Sequence, residues 1–183
     1  MRVTKEQAAL NRQRILDSAI RLFGERGVDR VGVAEVMADA GFTHGGFYNH
    51  FSSKDELVVH AVRTSFERSL EAVRRNGTDP ERARPDSADF GECLNAAMLS
   101  ESATKDGGLS EVYADGLRRF LDVLAERFGD RRRAADALAR YVGTRVLWRA
   151  VESSDPALAG EFTAATTGAH NGVHRSAEAH STS

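Results

Sequence analysis

Residues 27–58 read GVDRVGVAEVMADAGFTHGGFYNHFSSKDELV and contain the pattern that decides the fold. Apolar residues in the first half recur at the i, i+3, i+4, i+7 spacing of one helix face, and they are Val33, Val36, Met37 and Ala40. Gly41 follows them as a turn residue that is free to take a positive φ. A second helix is predicted from His44 to Phe51, with Thr43 in position to cap its N-terminus. The stretch therefore predicts a helix, a turn and a second helix.

An amphipathic helix is predicted before this stretch. Thr4 and Gln7 have the spacing of a capping box, in which a hydroxyl accepts a hydrogen bond from the backbone N–H three residues later. The apolar residues that follow lie on one side of a 3.6-residue period: Ile15, Leu16, Ala19, Ile20, Leu22 and Phe23. We expect this helix to run to Phe23 and to end at Gly24 and Gly27.

A long helix is predicted after the stretch. Ser53 and Glu56 form a second capping box, and the chain reaches a stop signal at Asn76 and Gly77. Between these ends the apolar residues recur at helical spacing: Leu57, Val58, Ala61, Val62, Phe66, Leu70 and Val73. We expect this helix to link two functional halves of the molecule.

The rest of the chain is also predicted to be helical. Residues 76–89 hold two of the three prolines and no apolar periodicity, so they are expected to form an exposed linker. Further helices are predicted over Phe90 to Ala103, Leu109 to Phe128 and Arg131 to Val151, followed by a short one that begins at Asp155 and Pro156 and contains Leu158 and Phe162. Residues 166–183 lack large apolar side chains almost entirely and are expected to be a disordered tail. Since no convincing strand is found, the sequence predicts an all-α protein.

Length, composition and charge exclude several classes of protein. A chain of 183 residues suits one substantial domain or two small ones that share a core, which excludes a multidomain enzyme. The apolar fraction of 41% is that of an ordinary globular protein. The first residues lack the apolar core of a signal peptide, and no stretch approaches the roughly 20 apolar residues that span a bilayer. The single cysteine cannot form an intramolecular disulfide, so we expect a cytoplasmic protein. Because the net charge is -2, any attraction to DNA must come from a local patch.

Residues 27–58 resemble the DNA-binding signature of the TetR/AcrR family of transcriptional regulators. The family pattern is roughly G-x-x-x-T-[ST]-V-x-x-I-A-x-x-A-G-x-[ST]-x-G-x-[FL]-Y-x-[HY]-F-x-S-K-x-x-L. The residues that match it at the expected spacing are Val33, Ala40, Gly41, Thr43, Gly45, Phe47, Tyr48, His50, Phe51, Ser53, Lys54 and Leu57. With the flanking helices, the resemblance extends over residues 8–75. It implies an N-terminal three-helix helix-turn-helix domain, followed by a helical domain that dimerises and holds a small-molecule pocket.

The resemblance also implies a division of the chain and a function. The DNA-binding domain is expected over residues 1–53, the connecting helix over 54–75, the linker over 76–89 and the effector-binding and dimerisation domain over 90–165. The implied function is that of a ligand-responsive repressor, which binds a palindromic double-stranded DNA operator as a homodimer and is released by a small effector. Neither a cofactor nor a membrane partner is implied.

The residues expected to contact DNA lie on and beside the second helix of the motif. They are Thr43, His44, Gly45, Gly46, Tyr48, Asn49, His50 and Lys54. His44 and Asn49 carry side chains that can hydrogen-bond base edges in the major groove. Tyr48, His50 and Lys54 resemble family positions that grip phosphates, which set the position of a protein on the duplex. The two glycines are expected to let the helix backbone approach the bases closely.

Two departures from the family pattern bear on this site. Val31 and Gly32 stand where the family has hydroxyl residues, so the first helix of the motif lacks an N-cap worth about 1 kcal/mol. The second helix carries no Lys or Arg, so further phosphate contacts are expected from Lys5, Arg12 and Arg14 near the first helix. Since histidine loses its charge near neutral pH, operator affinity is expected to fall as the pH rises, unless both histidines bind DNA as neutral groups.

A homodimer is needed to place two such helices in successive major grooves, roughly 34 Å apart. The expected interface on the last two helices combines aromatic residues with Arg, and consists of Tyr141, Val142, Arg145, Val146, Trp148, Arg149, Leu158 and Phe162. The family's pocket lies among the central helices, and its candidate lining residues are Phe66, Leu70, Cys93, Met98, Tyr113, Phe120, Tyr141 and Trp148. Few charges interrupt these positions, so a mostly apolar or aromatic effector is expected. Both sets have a simpler interpretation as intramolecular core.

Other interpretations stay open at the level of sequence. Cys93 either senses oxidants or electrophiles or serves as a small hydrophobic residue. His170 and His174 have the i, i+4 spacing of metal ligands, but without neighbouring ligands they are expected to be solvent-exposed, so no metal site is predicted. Because no catalytic motif is found, we do not expect an enzyme. The alternative to a regulator is a helical module that binds a small molecule or a partner, with weak or no sequence-specific DNA binding.

Overall fold

The computed structural model describes residues 4–76 and 107–168, and both segments are helical with short connections. The helices of these segments are α1 (Lys5–Arg26), α2 (Val33–Asp39), a 3-10 helix (His44–Asn49), α3 (Lys54–Asn76), α4 (Gly107–Phe128), α5 (Arg131–Val151) and α6 (Pro156–Gly168). No strand occurs in these segments, which confirms the predicted all-α class. None of the helices described combines the length and the apolar character that crossing a bilayer requires.

Helix α1 begins as predicted and ends three residues later than predicted. The Gln7 N–H donates to the Thr4 hydroxyl at 3.1 Å, which is the expected N-terminal cap. Gly24, which we predicted as a helix end, lies buried inside the helix. Gly27 is the residue with a positive φ, 84°, and its N–H donates to the Phe23 carbonyl at 2.8 Å. The helix therefore continues until the backbone turns at Gly27, because glycine alone does not end a helix whose flank is packed.

The second helix of the motif is shorter and more tightly wound than predicted. It is a 3-10 helix over His44–Asn49, where we predicted a regular helix from His44 to Phe51. Thr43 occupies the N-cap position with extended backbone angles, but its side chain makes no capping hydrogen bond. Two adjacent glycines lower the helix propensity here, and short runs of 3-10 helix are the usual result of weak helical segments.

The caps of the neighbouring helices follow the sequence with one shift. Gly32 stands at the N-cap of α2 and provides no side-chain hydrogen bond, as predicted. The Glu56 N–H donates to the Ser53 hydroxyl at 3.0 Å, which confirms the cap of α3. The Glu56 carboxylate, however, accepts from the N–H and the hydroxyl of Ser52, at 2.7 and 2.6 Å, so the reciprocal half of the capping box is displaced by one residue.

One apolar core runs from α1 through α5. Its largest fully buried side chains are Phe23, Phe47, Phe51, Phe66, Phe120, Tyr141, Ile15, Met37 and Leu57. Helix α3 packs against α1 on one side and against α4 further along, α4 packs on α5, and α5 on α6. The motif formed by α1, α2 and the 3-10 helix, which we call the head, is thus joined through α3 to a body made of α4, α5 and α6.

The C-terminal helices lie close to their predicted bounds. Helix α4 begins two residues before the predicted Leu109, and α5 matches the prediction at both ends. Helix α6 reaches Gly168, so the first three residues of the predicted tail are helical. The predicted linker over residues 76–89 lies almost wholly outside the described residues, as does the predicted helix from Phe90 to Ala103.

Candidate nucleic-acid interface and ligand cavity

The 3-10 helix presents its polar side chains to solvent and its large apolar ones to the core. His44, Tyr48 and Asn49 are exposed together with Thr43 before them, and the Tyr48 side chain has an exposed fraction of 68%. Phe47 lies between them in the sequence and is 1% exposed. This arrangement leaves the predicted base-reading side chains available to a ligand and fixes the helix through its buried phenylalanine.

Aromatic contacts order the exposed face, which we call the reading face and define as Thr43, His44, Gly45, Tyr48 and Asn49. The Tyr48 ring stands edge-on to the Phe47 ring at 5.4 Å between centroids, and the His44 ring lies 6.5 Å from that of Tyr48. Because Phe47 is held in the core, the Tyr48 ring has a fixed support on one side.

The two glycines and His50 differ in their surroundings. A Cβ added at Gly45 meets no atom within 4 Å, whereas one at Gly46 lies 3.6 Å from the Met37 methyl group. Gly45 thus offers bare backbone to solvent, and Gly46 faces the head's own interior. His50 is half-buried, with its ring 6.4 Å from that of Phe42, and is less available to DNA than the residues of the reading face.

The cations expected to grip phosphates take part in bonds that hold the head together. The Arg14 guanidinium donates to the Ala40 carbonyl at 2.9 Å, and the Lys54 ammonium donates to the Val28 carbonyl at 2.7 Å. Lys5 is exposed at the start of α1. Phosphate binding by Arg14 and Lys54 stays a prediction, and each of these groups has further N–H donors.

Arg12 has a structural role that sequence reasoning missed. Its guanidinium lies 4.1 Å from the centre of the Phe51 ring and 3.7 Å from the Glu56 carboxylate. It therefore connects α1 to Phe51, which follows the 3-10 helix, and to the start of α3. The signal was available in the sequence, because Arg12 stands three and four residues before the buried Ile15 and Leu16 and so belongs to the inward stripe of α1.

Next to Arg12, the pKa values of Glu56 and His60 are both lowered. Hydrogen bonds from Ser52, first from its hydroxyl and then from its N–H, lower the pKa of the Glu56 carboxyl. Burial, followed by the nearby positive charge of Arg12, lowers the pKa of His60, whose Nε2 lies 3.6 Å from Glu56 and whose ring stands 6.0 Å from that of Phe51. Neutral His60 and ionised Glu56 are thus the forms that the fold favours.

Ion pairs brace α2 against α1. Asp39 at the end of α2 pairs with Arg21 of α1, and its pKa is lowered by hydrogen bonds, first from Ser18 and then from Arg21. Arg26 and Glu35 form a second pair between the same two helices. These contacts set the angle of the helix that precedes the turn.

A cavity of about 250 Å³ lies in the body, between α3, α4 and α5. Its lining residues are Phe66, Tyr113, Leu117, Leu121, Ala135, Leu138, Ala139 and Val142. The Tyr113 and Phe66 rings meet edge-on at 5.4 Å. The Tyr113 phenol is the one polar group among these lining side chains, so the cavity suits a neutral apolar or aromatic molecule.

Only some of the residues predicted to line a pocket do line the cavity. Phe66 and Tyr113 line the cavity. Leu70, Phe120 and Tyr141 are buried in the core and do not line it, because their positions on α3, α4 and α5 point into helix contacts. Trp148 is half-buried beyond the cavity on α5. Cys93 and Met98 lie outside the described residues, as do His170 and His174.

Sequence reasoning missed most of the cavity wall. Leu117 and Leu121 stand one and two turns after Tyr113 and continue its stripe on α4. Small residues of α5, such as Ala135 and Ala139, line the opposite wall and give no signal in a search for large apolar side chains. Within the described segments no three His, Cys, Asp or Glu side chains come together as a group that could hold a metal ion.

The predicted dimer interface is likewise divided. Val146 of the predicted set is about half exposed, at 49%, and so is its neighbour Leu147, at 50%, which the prediction did not include. Their half-buried neighbours on α5 and α6 are Arg145, Trp148, Leu158 and Phe162. Tyr141 is 1% exposed and belongs to the protomer's core, and Val142 lines the cavity, because both face inward on α5. Arg149 donates to the Gly24 carbonyl at 3.0 Å, so it joins α5 to α1 within the protomer.

Comparison with known proteins identifies the head. The family model of bacterial regulatory proteins, tetR family, matches residues 15–61, which extend from α1 through the reading face into α3. This match covers 47 of the 183 residues. It confirms the resemblance inferred from the sequence motif, and it lies over the part of the chain that holds the helix-turn-helix.

Curated relatives share the same part of the chain. The HTH-type transcriptional regulator AcrR of Shigella flexneri is 45% identical over 56 residues, which are 31% of this chain and 26% of that protein. The regulator TtgR of Pseudomonas putida is 45% identical over 58 residues, 32% of this chain and 28% of TtgR. The repressor Rv1474c of Mycobacterium tuberculosis is 33% identical over 76 residues, 42% of this chain and 41% of that protein. The matches span between a quarter and two fifths of these relatives. Their names agree with the expectation that the chain is not an enzyme.

Solved structures resemble the chain over most of its length. A transcriptional regulator from Rhodococcus sp. Rha1 superimposes with a TM-score of 0.63 and 23% identity over 86% of this chain and 94% of its own. The multidrug binding protein EbrR, solved in complex with ethidium, gives a TM-score of 0.59 and 25% identity over 86% of this chain and 96% of its own. The likeness confirms the helical architecture of the chain, head and body together.

Proposed function

We propose that this chain is a ligand-responsive transcriptional repressor of the TetR type, which acts in the cytoplasm. It binds a palindromic double-stranded DNA operator as a homodimer, and a small, mostly apolar or aromatic effector releases it. The observation that carries the proposal is the pairing of an exposed reading face with an apolar cavity in a separate body, the two being joined by α3. A protein that only bound DNA would have no use for the cavity.

The reading face supports recognition of the major groove by close approach. Asn49 and His44 supply hydrogen-bonding groups that match adenine and guanine edges. Tyr48 supplies a phenol for a phosphate. Gly45 adds exposed backbone with open space around it. Because the segment between Gly41 and Ser53 carries no Lys or Arg, sequence preference rests on these few neutral contacts.

A homodimer follows from the size of the site. One short helix offers too few contacts for tight binding, and two copies about 34 Å apart read successive major grooves of a palindrome. The exposed Val146 and Leu147, with half-buried Trp148 beside them, support α5 and α6 as the joining surface. Replacing Leu147 by Asp is expected to produce monomers in sedimentation experiments. Leu10 is similarly exposed on α1, at 55%, and Leu10→Asp serves as the matched control that leaves the dimer intact.

The effector class follows from the cavity wall. None of the described lining residues carries a charge, so a neutral aromatic or aliphatic molecule of about 250 Å³ or somewhat more fits best. The structure of EbrR with ethidium supports a flat aromatic shape. An effector with a fixed positive charge requires a compensating acid that the described lining lacks.

A second candidate function has an observation in its favour. Arg12, Arg14 and Lys54 are engaged with the head's own groups, which reduces the positive charge offered to phosphates. A helical module that binds a small molecule or a partner, with weak or no sequence-specific DNA binding, is compatible with this arrangement. The salt dependence of DNA binding separates the two, because a phosphate-binding protein loses affinity steeply as salt rises.

The deciding experiment is selection of bound sequences from random DNA duplexes by the full-length chain. The expected result is enrichment of one palindrome, with affinity that falls as salt rises. The double variant Tyr48→Ala, Asn49→Ala is expected to lose the enrichment, and Leu10→Ala provides the matched control on α1. Absence of enrichment and of binding at low salt supports the second candidate. Release of the selected duplex by the neutral fluorescent probe N-phenyl-1-naphthylamine then tests the effector class.

A further inference from the structure

A side chain of the body reaches back to the head. Arg149, in the last turn of α5, donates from Nη1 to the Gly24 carbonyl at 3.0 Å and from Nη2 to the Glu25 carbonyl at 3.4 Å. Both carbonyls lie in the last turn of α1, two and three residues before its C-cap Gly27. The contact joins positions more than 120 residues apart in the chain.

The chemistry of this contact favours a fixed link. The last carbonyls of a helix have no partner within the helix and carry its partial negative charge. A guanidinium presents several N–H donors in one plane and can satisfy two such carbonyls at once. Arg149 therefore acts as a C-terminal cap of α1 that is supplied by the body. It links the end of α1 to α5.

The same face of α5 lines the cavity. Its lining residues Ala135, Leu138, Ala139 and Val142 recur at the i, i+3, i+4, i+7 spacing of one stripe. Arg149 follows Val142 by seven residues, so it continues this stripe two turns on, about 10 Å along the helix. A displacement of α5 at the cavity is carried to Arg149, since a helix moves as a stiff rod over this distance.

We propose that Arg149 is the positioning residue that couples the cavity to the reading face. A ligand that binds more tightly when α5 has moved away from the cavity favours the state in which the guanidinium no longer contacts α1. In that state the head can change its orientation relative to the body. The coupling is reciprocal, so DNA binding in turn weakens ligand binding. This inference rests on the proposed function, because it requires both a DNA site and a ligand site.

The test measures the affinity for the selected duplex with and without saturating N-phenyl-1-naphthylamine, for the full-length chain and for Arg149→Ala. In the unchanged chain the probe is expected to weaken DNA binding by roughly tenfold or more. In Arg149→Ala this ratio is expected to fall close to one, while the probe still binds. Arg140→Ala is the matched control, because Arg140 lies on α5 and pairs with Asp136 of the same helix. It is expected to keep the ratio.

The outcomes distinguish the inference from the proposed function. If the unchanged chain binds no duplex or no probe, the proposed function fails. If it shows coupling and Arg149→Ala shows the same coupling, the assignment of Arg149 is overturned. A purely structural role lowers thermal stability and DNA affinity in Arg149→Ala without changing the ratio.

Hydrogen exchange provides a test that needs no variant. In the unchanged chain the probe is expected to speed amide exchange in the last turn of α1 and at Gly27, because the link to Arg149 opens. Unchanged exchange there, in a sample whose DNA affinity responds to the probe, contradicts the inference. Arg149→Lys adds a check if Arg149→Ala fails to fold, since Lys keeps the charge but cannot span two carbonyls in one plane, and it is expected to show reduced coupling.

Discussion

The head and the body are held together by different kinds of contact. Among the described residues, four ion pairs of the head join α1 to α2 or to α3, and they are Arg12–Glu56, Arg21–Asp39, Arg26–Glu35 and Arg68–Asp17, whereas Arg21–Glu25 stays within α1. In the described part of the body, several pairs stay within one helix, and they are Arg118–Asp115, Arg119–Asp115 and Arg140–Asp136. One pair, Arg131–Asp122, joins α4 to α5.

The difference shows how one chain meets two mechanical demands. Exposed ion pairs add little stability, but directional contacts between helices fix their angles. Under the proposed function, the head needs fixed helix angles to present a short helix to DNA. The body is held by apolar packing around a cavity, and apolar packing has no preferred direction, so it can adapt to a guest.

The largest effect is expected at the aromatic anchor of the reading face. Phe47 is 1% exposed, so Phe47→Ala is expected to lower the free energy of unfolding by about 3–5 kcal/mol in urea titrations. Tyr48→Ala, one residue later and mostly exposed, is expected to change it by less than about 0.5 kcal/mol. It should instead weaken binding to the selected duplex by roughly tenfold, the worth of a hydrogen bond to a charged group. Equal losses of unfolding free energy in the two variants would contradict the assignment of Phe47 to core packing and of Tyr48 to DNA contact.

The next effect is expected where α3 and α4 meet. A Cβ at Gly116 overlaps the Phe66 ring, which lines the cavity. Gly116→Ala is expected to cost about 1–3 kcal/mol through overpacking and to weaken probe binding, measured by fluorescence titration. Gly143→Ala is the control on α5, since its Cβ meets no atom within 4 Å and it should stabilise the helix by up to about 1 kcal/mol. Unchanged probe affinity in Gly116→Ala argues that Phe66 does not shape the site.

A smaller effect is expected from pH at the corner of Arg12, Glu56 and His60. The fold lowers the pKa of His60 below its ordinary 6.5, so the folded state binds fewer protons than the unfolded chain. Stability should therefore fall as the pH drops below about 6.5. The pKa of Glu56 is lowered as well, so its contribution is lost at more acidic pH, below its ordinary 4.5. Thermal unfolding of His60→Gln between about pH 7.5 and pH 5.5 should show a flatter profile than the unchanged chain. Parallel profiles would show that His60 is not the source of the pH dependence of stability.

The smallest effect on stability is expected at Gly45. Gly45→Ala should leave the fold intact or raise its stability by up to about 1 kcal/mol, because the added methyl group meets nothing. If the backbone at Gly45 lies against the bases, the methyl group should still weaken duplex binding several-fold in anisotropy titrations. Gly46→Ala, which places its methyl group against Met37 inside the head, is the matched comparison. Unchanged duplex affinity in Gly45→Ala excludes close backbone approach at this position.

The sequence was most informative where local rules and tertiary packing agree. The spacing of apolar residues placed α4 and α5 within two residues of their bounds, and the hydroxyls of Thr4 and Ser53 marked the first residues of α1 and α3. It was less informative about glycine. Gly24 and Gly27 both signal a helix end, and only the packing of Gly24 inside α1 distinguishes them.

The candidate site was predicted in part for a related reason. The residues proposed to face DNA follow from a local motif, so His44, Tyr48 and Asn49 could be named from the sequence, and the structure shows that they are exposed. The cavity has no local pattern, since its wall combines α3, α4 and α5 and uses alanines as much as large side chains. A search for bulky apolar residues found Phe66 and Tyr113 and also selected core residues such as Phe120.

The helical class, the order of the described helices and the motif with its resemblance to the TetR family could all be predicted from the amino-acid sequence. These depend on periodicity and capping, which act over one or two helical turns. Only the tertiary structure decided that Arg12, Arg14 and Lys54 hold the head together, where the cavity lies and that Arg149 reaches the end of α1. The physical reason is distance along the chain. A hydrogen bond between residues 24 and 149 depends on the packing of every helix between them, and no local pattern records it.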